Sequence, residues 1–130
     1  MIFLCLKSDF KTAQIELYQD QSKLDSFIFK NSKDLSKDLL DKIEKLLINN
    51  NLDFKDLSGI NCFKGPGSFT SLRILIVSAL SLSYSLNINI VGSEGSNWVK
   101  KGNQRLTNKQ SDSFITPIYN SGPFVTKPKK

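Results

Sequence analysis

The stretch Gly65-Pro66-Gly67-Ser68-Phe69-Thr70-Ser71-Leu72-Arg73-Ile74 is where this 130-residue chain concentrates residues that could do chemistry. A glycine-rich turn between a strand and a helix can aim backbone N–H groups at a phosphate. A Walker loop would continue with Gly-Lys-Ser/Thr, and no such lysine follows. A nucleophile elbow would read Gly-x-Ser-x-Gly and need a histidine, and the chain has no histidine. From its residues alone the stretch reads as a turn on two glycines, opening a helix capped by Ser68 or Thr70. Asp9 is a carboxylate after the first strand. Alone on a turn it reads as a turn residue, and no second acid joins it as a catalytic pair.

The same inventory excludes whole classes of activity. Without histidine, neither a Ser-His-Asp nor a Cys-His nucleophile can be built, nor a His-ligated metal site. Zinc held by thiolates alone needs about four cysteines. There are two, Cys5 and Cys62, both inside apolar runs, where they read as small buried hydrophobes of a reducing compartment. No cofactor and no metal is expected. Hydrophobic residues make up 39% and charged residues 23%, the balance of a folded domain. No apolar run approaches the ~20 residues of a membrane span, and the start lacks a basic signal region, so a cytoplasmic location without membrane contact is expected.

Charge is unevenly placed. The net charge is +6, yet residues 1–99 hold eleven basic and eleven acidic side chains. The excess is Lys100, Lys101, Arg105, Lys109, Lys127, Lys129 and Lys130 against Asp112. A basic tail on a neutral body suggests contact with something anionic, or simply a solvated end.

The elements that must position the glycine-rich turn follow from periodicity. Met1–Leu6 reads as a buried strand, and Thr12–Tyr18 alternates with period two, making a hairpin with it. Leu24–Lys30 is a third strand. Ser32 and Asp34 then start a helix in which Leu35, Leu39, Leu40, Ile43, Leu46 and Leu47 recur at helical spacing. Asn49-Asn50-Asn51 ends it. Gly59–Lys64 is a fourth strand, Phe69–Leu86 a second helix, and Ile88–Val91 a fifth strand. Ser93–Lys101 is expected as a short helix carrying Trp98, and Phe114–Tyr119 as a last strand-like piece. The β-β-β-α-β-α-β order predicts an α/β fold. It is a single ribonuclease-H-like or actin-like lobe with helices packed on a mixed five-stranded sheet. Residues 1–102 would form the lobe and 103–130 a basic C-terminal tail.

The second helix is too apolar for one buried side. Its only charge is Arg73, and Ser71, Ser78, Ser81 and Ser85 form a small-residue stripe around Ile74. The first helix and the sheet cover part of it, and a partner protein is the natural remaining cover. The expected interface is Leu39, Leu40, Ile43, Leu47, Ser71, Leu72, Leu75, Ser78, Ala79 and Leu82. Charge reversal at Leu75 or Ile43 would then break assembly and spare the fold.

Residues 65–74 closely resemble the Gly-Pro-Gly-Ser-Phe-Thr-Gly-Leu-Arg-Ile-Gly signature of the TsaB (YeaZ) family of tRNA threonylcarbamoyladenosine biosynthesis proteins. Gly65, Pro66, Gly67, Ser68, Phe69, Thr70, Leu72, Arg73 and Ile74 carry the match, and the element order over roughly 1–100 agrees with it. The resemblance implies an actin-like (ASKHA) fold used without catalysis. It implies a scaffold that binds and stabilises TsaD, the enzyme modifying adenosine 37 of tRNA, with TsaE, an ATPase, in the same assembly. The family's two helices bundle with the equivalent pair of TsaD, and a homodimer is expected across the same surface when the chain is alone. Ser71 and Leu75 stand where the family usually has glycine. Leu6-Lys7-Ser8 replaces its Asp-Thr-Ser, which argues against nucleotide binding. Only 38 residues follow Gly92, so the chain reads as a shortened member lacking most of the second lobe. The competing expectation is a tRNA-binding module that uses its basic tail without an obligate TsaD partner. A hydrolase or nucleotide-dependent enzyme is disfavoured by the missing histidine, acidic pair and loop lysine.

Overall fold

A computed structural model describes residues 1–9, 11–30 and 34–119. Its elements are β1 (Ile2–Ser8), β2 (Thr12–Gln19), β3 (Ser22–Lys30), α1 (Leu35–Asn49), β4 (Leu57–Gly65), α2 (Phe69–Leu86), β5 (Asn89–Glu94) and α3 (Trp98–Thr107). The strands form one sheet in the order β3-β2-β1-β4-β5. β1, β2 and β3 pair antiparallel as a meander, while β1–β4 and β4–β5 are parallel and need the α1 and α2 crossovers. The expected α/β, ribonuclease-H-like, mixed five-stranded lobe is the fold observed. No helix among the described residues is long and apolar enough to cross a membrane.

Period-two alternation divides the sheet into two faces. Leu4, Leu6, Ile15, Leu17, Ile60 and Cys62 meet Leu35, Leu39, Ile43, Leu46 and Leu47 of α1 and Leu75, Ile76 and Ala79 of α2 in one core. Phe3 and Val91 meet Leu106 of α3 on the other side, and Cys5 and Phe63 pack with Trp98. Both cysteines are buried free thiols. Burial pushes the Cys5 thiol up, with the Glu16 carboxylate adding to it, and burial takes the Cys62 thiol to about 12.

Asp9 is the turn residue its position suggests. Its Oδ1 accepts the N–H groups of Lys11 and Thr12, each at 2.8 Å. The expected Ser32 cap lies outside the described residues, and Asp34 is the N-cap of α1, without a side-chain capping bond to the helix. Asn87 ends α2 in the left-handed conformation at φ 56°.

Two expectations beyond β5 need correction. The helix expected over Ser93–Lys101 is displaced, because Ser93 and Glu94 continue β5 and Gly95 turns the chain at φ 80°. α3 therefore starts at Trp98 and runs through Gly102, the expected boundary, to Thr107. Gly102 is in the helix for its missing side chain: a β-carbon there would stand 2.2 Å from both Asn61 Nδ2 and Oδ1. Asn61 Nδ2 donates to the Trp98 and Val99 carbonyls and to Asn103 Oδ1, at 3.2, 3.2 and 3.1 Å.

Phe114–Tyr119 is likewise not a strand. It contributes one isolated bridge, Gly67 to Tyr119, to a strap that crosses the β4–β5 end of the sheet. Asp112 fastens the strap. Its N–H donates to the Ile90 carbonyl at 2.8 Å, and its carboxylate accepts the Gly92 N–H at 2.8 Å and two Arg105 guanidinium bonds. Burial of Asp112 opposes its charge, but Arg105 and the Gly92 N–H outweigh it and hold the carboxyl below the usual range. A depressed folded pKa gives stability that is present above the unfolded pKa, near 4, and lost as pH falls through the folded value. Asp112→Asn should cost ~1–2 kcal/mol at neutral pH, allowing for the pair's partial exposure, and less at about pH 3, below the unfolded pKa. Urea melts at the two pH values check the difference.

Candidate functional site

The glycine-rich turn is built as structure. Gly65 adopts φ 128°, a conformation that favours glycine, and a β-carbon there would meet the Ile118 carbonyl. The Gly67 N–H donates to the Ile118 carbonyl at 3.1 Å, the Ile118 N–H to Lys64 at 2.7 Å, and the Gly95 N–H to Gly65 at 3.2 Å. The turn is thus clamped between the strap and β5, and the Gly67 amide that could cradle a phosphate faces a carbonyl. Leu72 is fully buried and packs on Gly67. Ser68 is the N-cap of α2 by position, but its hydroxyl makes no capping bond. Pro66, Thr70 and Arg73 are exposed, and Ile74 is half-buried.

The structure divides the expected interface residues. Leu39, Ile43, Leu47, Leu72, Leu75 and Ala79 are at most 2% exposed and belong to the chain's own core. They point at the sheet, so no partner can reach them, and this corrects their expected role. Leu40 is 49% exposed, Ser71 is half-buried beside β1, its carbonyl accepting the Ser8 hydroxyl at 3.1 Å, and Ser78 and Leu82 are half-buried along the line where α1 meets α2. There the Ser36 and Ser78 hydroxyls lie 3.2 Å apart. Part of the small-residue stripe therefore lets the chain's own two helices approach.

The side of α2 turned to solvent is Arg73, Val77, Ser81 and Tyr84, spaced four, four and three residues apart. Val77 is 62% and Tyr84 90% exposed, and α1 adds Ile48 at 63%. These three residues were missed in the sequence. Arg73 was the available signal, because the only charge of an otherwise apolar helix marks its wet side. Two shallow depressions lie between the helices. One of about 330 Å³ is lined by Ser36, Thr70, Arg73, Ile74 and Val77, the other of about 250 Å³ by Ser36, Leu40, Val77, Ser78, Ser81, Leu82 and Ser85. They meet at Ser36 and Val77, giving one furrow with apolar walls and a hydroxyl-lined floor. No acidic, cysteine or histidine cluster able to hold a metal occurs among the described residues. The furrow offers apolar side chains and hydroxyls against which another surface can pack.

Residues 30–94, half of the chain, match the family model described as TsaD: tRNA N6-adenosine threonylcarbamoyltransferase. The tRNA threonylcarbamoyladenosine biosynthesis protein TsaB of Buchnera aphidicola subsp. Acyrthosiphon pisum is 33% identical over 90 residues, covering 69% of this chain and 40% of that protein. Its counterpart in Buchnera aphidicola subsp. Schizaphis graminum is 48% identical over 54 residues, covering 42% of this chain and 26% of that protein. The chain thus spans well under half the length of these curated relatives. Among solved structures, YeaZ from Pseudomonas aeruginosa superposes with a TM-score of 0.63 at 22% identity, over 72% of this chain and 43% of that one, which speaks to the fold alone. Through its identity to the two curated TsaB proteins, the signature at 65–74 and the shared YeaZ fold, the chain belongs to the TsaB (YeaZ) family.

Proposed function

We propose that the chain is a non-catalytic scaffold in tRNA threonylcarbamoyladenosine biosynthesis, and that it binds a TsaD-type enzyme through the outer face of α1 and α2. The observation that carries this reading is the furrow. Leu40 and Val77, both exposed, wall a groove on a face whose α1 charges balance, Lys37, Lys42 and Lys45 against Asp38, Asp41 and Glu44. Balanced charge leaves this face without net repulsion toward a partner, and apolar anchors in a furrow are what a helical partner buries. The family membership supports the choice of partner. In its absence the same furrow pairs with a second copy of the chain, since a self-complementary contact closes as a two-fold dimer.

Size-exclusion chromatography with light scattering tests the reading. The chain mixed with the TsaD-type protein of the same genome should elute as a mixed complex in place of a homodimer. Absence of that complex, with nucleotide and a TsaE-type protein also present, would overturn it.

A further inference from the structure

We propose that the outer face of α3, on the side of the sheet opposite the furrow, is a binding surface for RNA phosphates. Trp98, Gly102, Asn103 and Leu106 are the buried side of α3, which leaves Lys100, Lys101 and Gln104 outward. The buried Asn61 bonds and the close fit of Gly102 fix the helix rotation, so these lysines are held on a rigid element. α3 contains three basic residues and no acidic one. The carboxylates around it are already paired: Asp20 with the Met1 ammonium, Glu16 with Lys23, Glu94 with Lys64, and Asp112 with Arg105 of α3 itself, which leaves Lys100 and Lys101 as the helix's unpaired cations. Among the described residues Lys100, Lys101 and Lys109 enter no ion pair, so their charge faces solvent uncompensated.

Two further features suit a nucleic acid. A groove of about 790 Å³ runs beside Lys100, with Tyr18, Gln21, Asn97, Gln104 and Thr107 supplying hydroxyl and amide groups for sugar and phosphate oxygens; its one carboxylate, Asp20, is paired with the Met1 ammonium at 3.4 Å. Phe114, 75% exposed, stands two residues beyond the Asp112 that Arg105 ties to α3, and offers a ring on which an unpaired base can stack. The contrast with α1, where lysines and acids balance, separates this surface from an ordinary solvated helix. The choice of RNA over another polyanion rests on the tRNA-modification reading above; the charge argument does not.

The test is binding of the full chain to a tRNA transcript, read by fluorescence anisotropy across a salt series. Lys100→Glu/Lys101→Glu/Lys109→Glu should weaken binding at least about tenfold and lower the log–log salt slope by about two to three, one per lost phosphate contact. Lys37→Glu/Lys42→Glu/Lys45→Glu on α1, the same change in net charge, should leave both within about twofold. Equal losses in the two variants, or loss confined to Lys127→Glu/Lys129→Glu/Lys130→Glu, would overturn the assignment. So would displacement of the tRNA by poly-glutamate at equal charge, which would mark an acidic protein as the partner. Melting curves confirm that each variant is folded. The α3 variant should still bind the TsaD-type protein, so failure here and failure of the scaffold reading are separate results.

Discussion

Leu75→Glu should leave the chain unfolded at 25 °C, whereas Val77→Glu, two residues further along the same helix, should fold as the parent does. Leu75 is fully buried between α2 and the sheet. Removing its side chain alone forfeits ~2–5 kcal/mol of packing. An ionised carboxylate in its place has no partner in the apolar cluster around it and adds several kcal/mol more. A domain of this size holds about 5–15 kcal/mol in all, so the sum consumes it. Ile43→Glu, at 2% exposure, should behave like Leu75→Glu. Val77 is 62% exposed, and a charge there should move stability by less than ~0.5 kcal/mol. Far-UV circular dichroism and urea melts of the three variants decide the matter. A folded, cooperatively melting Leu75→Glu chain would show that the inner face of α2 is misassigned.

The second large effect reverses an ordinary sign. Alanine for glycine in a helix interior normally stabilises by about 1 kcal/mol. Gly102→Ala should instead destabilise by about 3 kcal/mol, because the new methyl would stand 2.2 Å from Asn61. Asn61 cannot yield without abandoning its bonds to the Trp98 and Val99 carbonyls and to Asn103, all in α3. The cost therefore falls on the docking of the whole helix, which also carries the Arg105 end of the strap's ion pair. A double-mutant cycle isolates the contact. Asn61→Ala should be destabilising in the parent, and Gly102→Ala added to it should cost little. If Gly102→Ala raises stability in the parent, the close approach of α3 to β4 is wrong.

How much of this was legible follows from the residues concerned. The meander, both crossover helices and the parallel strands are written in local periodicity, and α2 was bounded at Phe69 and Leu86 by the glycine turn before it and Asn87 after it. α3 was misplaced because Gly102 has the local look of a helix breaker. Its reason is a contact with Asn61, 41 positions away, which no window of the sequence contains. The strap was read as a strand because Phe114, Ile115 and Ile118 look strand-like, yet Pro117 withholds a donor and the segment bonds through a few fixed points instead. The candidate surface was half legible. Composition showed that α2 needed cover on more than one side, but not which residues faced outward. Leu75 and Val77 are equally apolar and differ only in angle around the helix. The Arg73 register, carried forward through Val77, Ser81 and Tyr84, holds the answer.

The same distinction gives the scaffold account its sharpest test. In the proposed assembly the α1–α2 furrow, and not the basic side of the sheet, holds the TsaD-type partner. Calorimetric titration of that partner with the parent, with Leu40→Glu/Val77→Glu and with Lys100→Glu/Lys101→Glu/Lys109→Glu measures it in one series. The furrow variant, folded, should lose at least about a hundredfold in affinity, ~2.7 kcal/mol, while the α3 variant should bind as the parent does. Unchanged affinity in the folded furrow variant would place the partner elsewhere on the molecule and contradict the account.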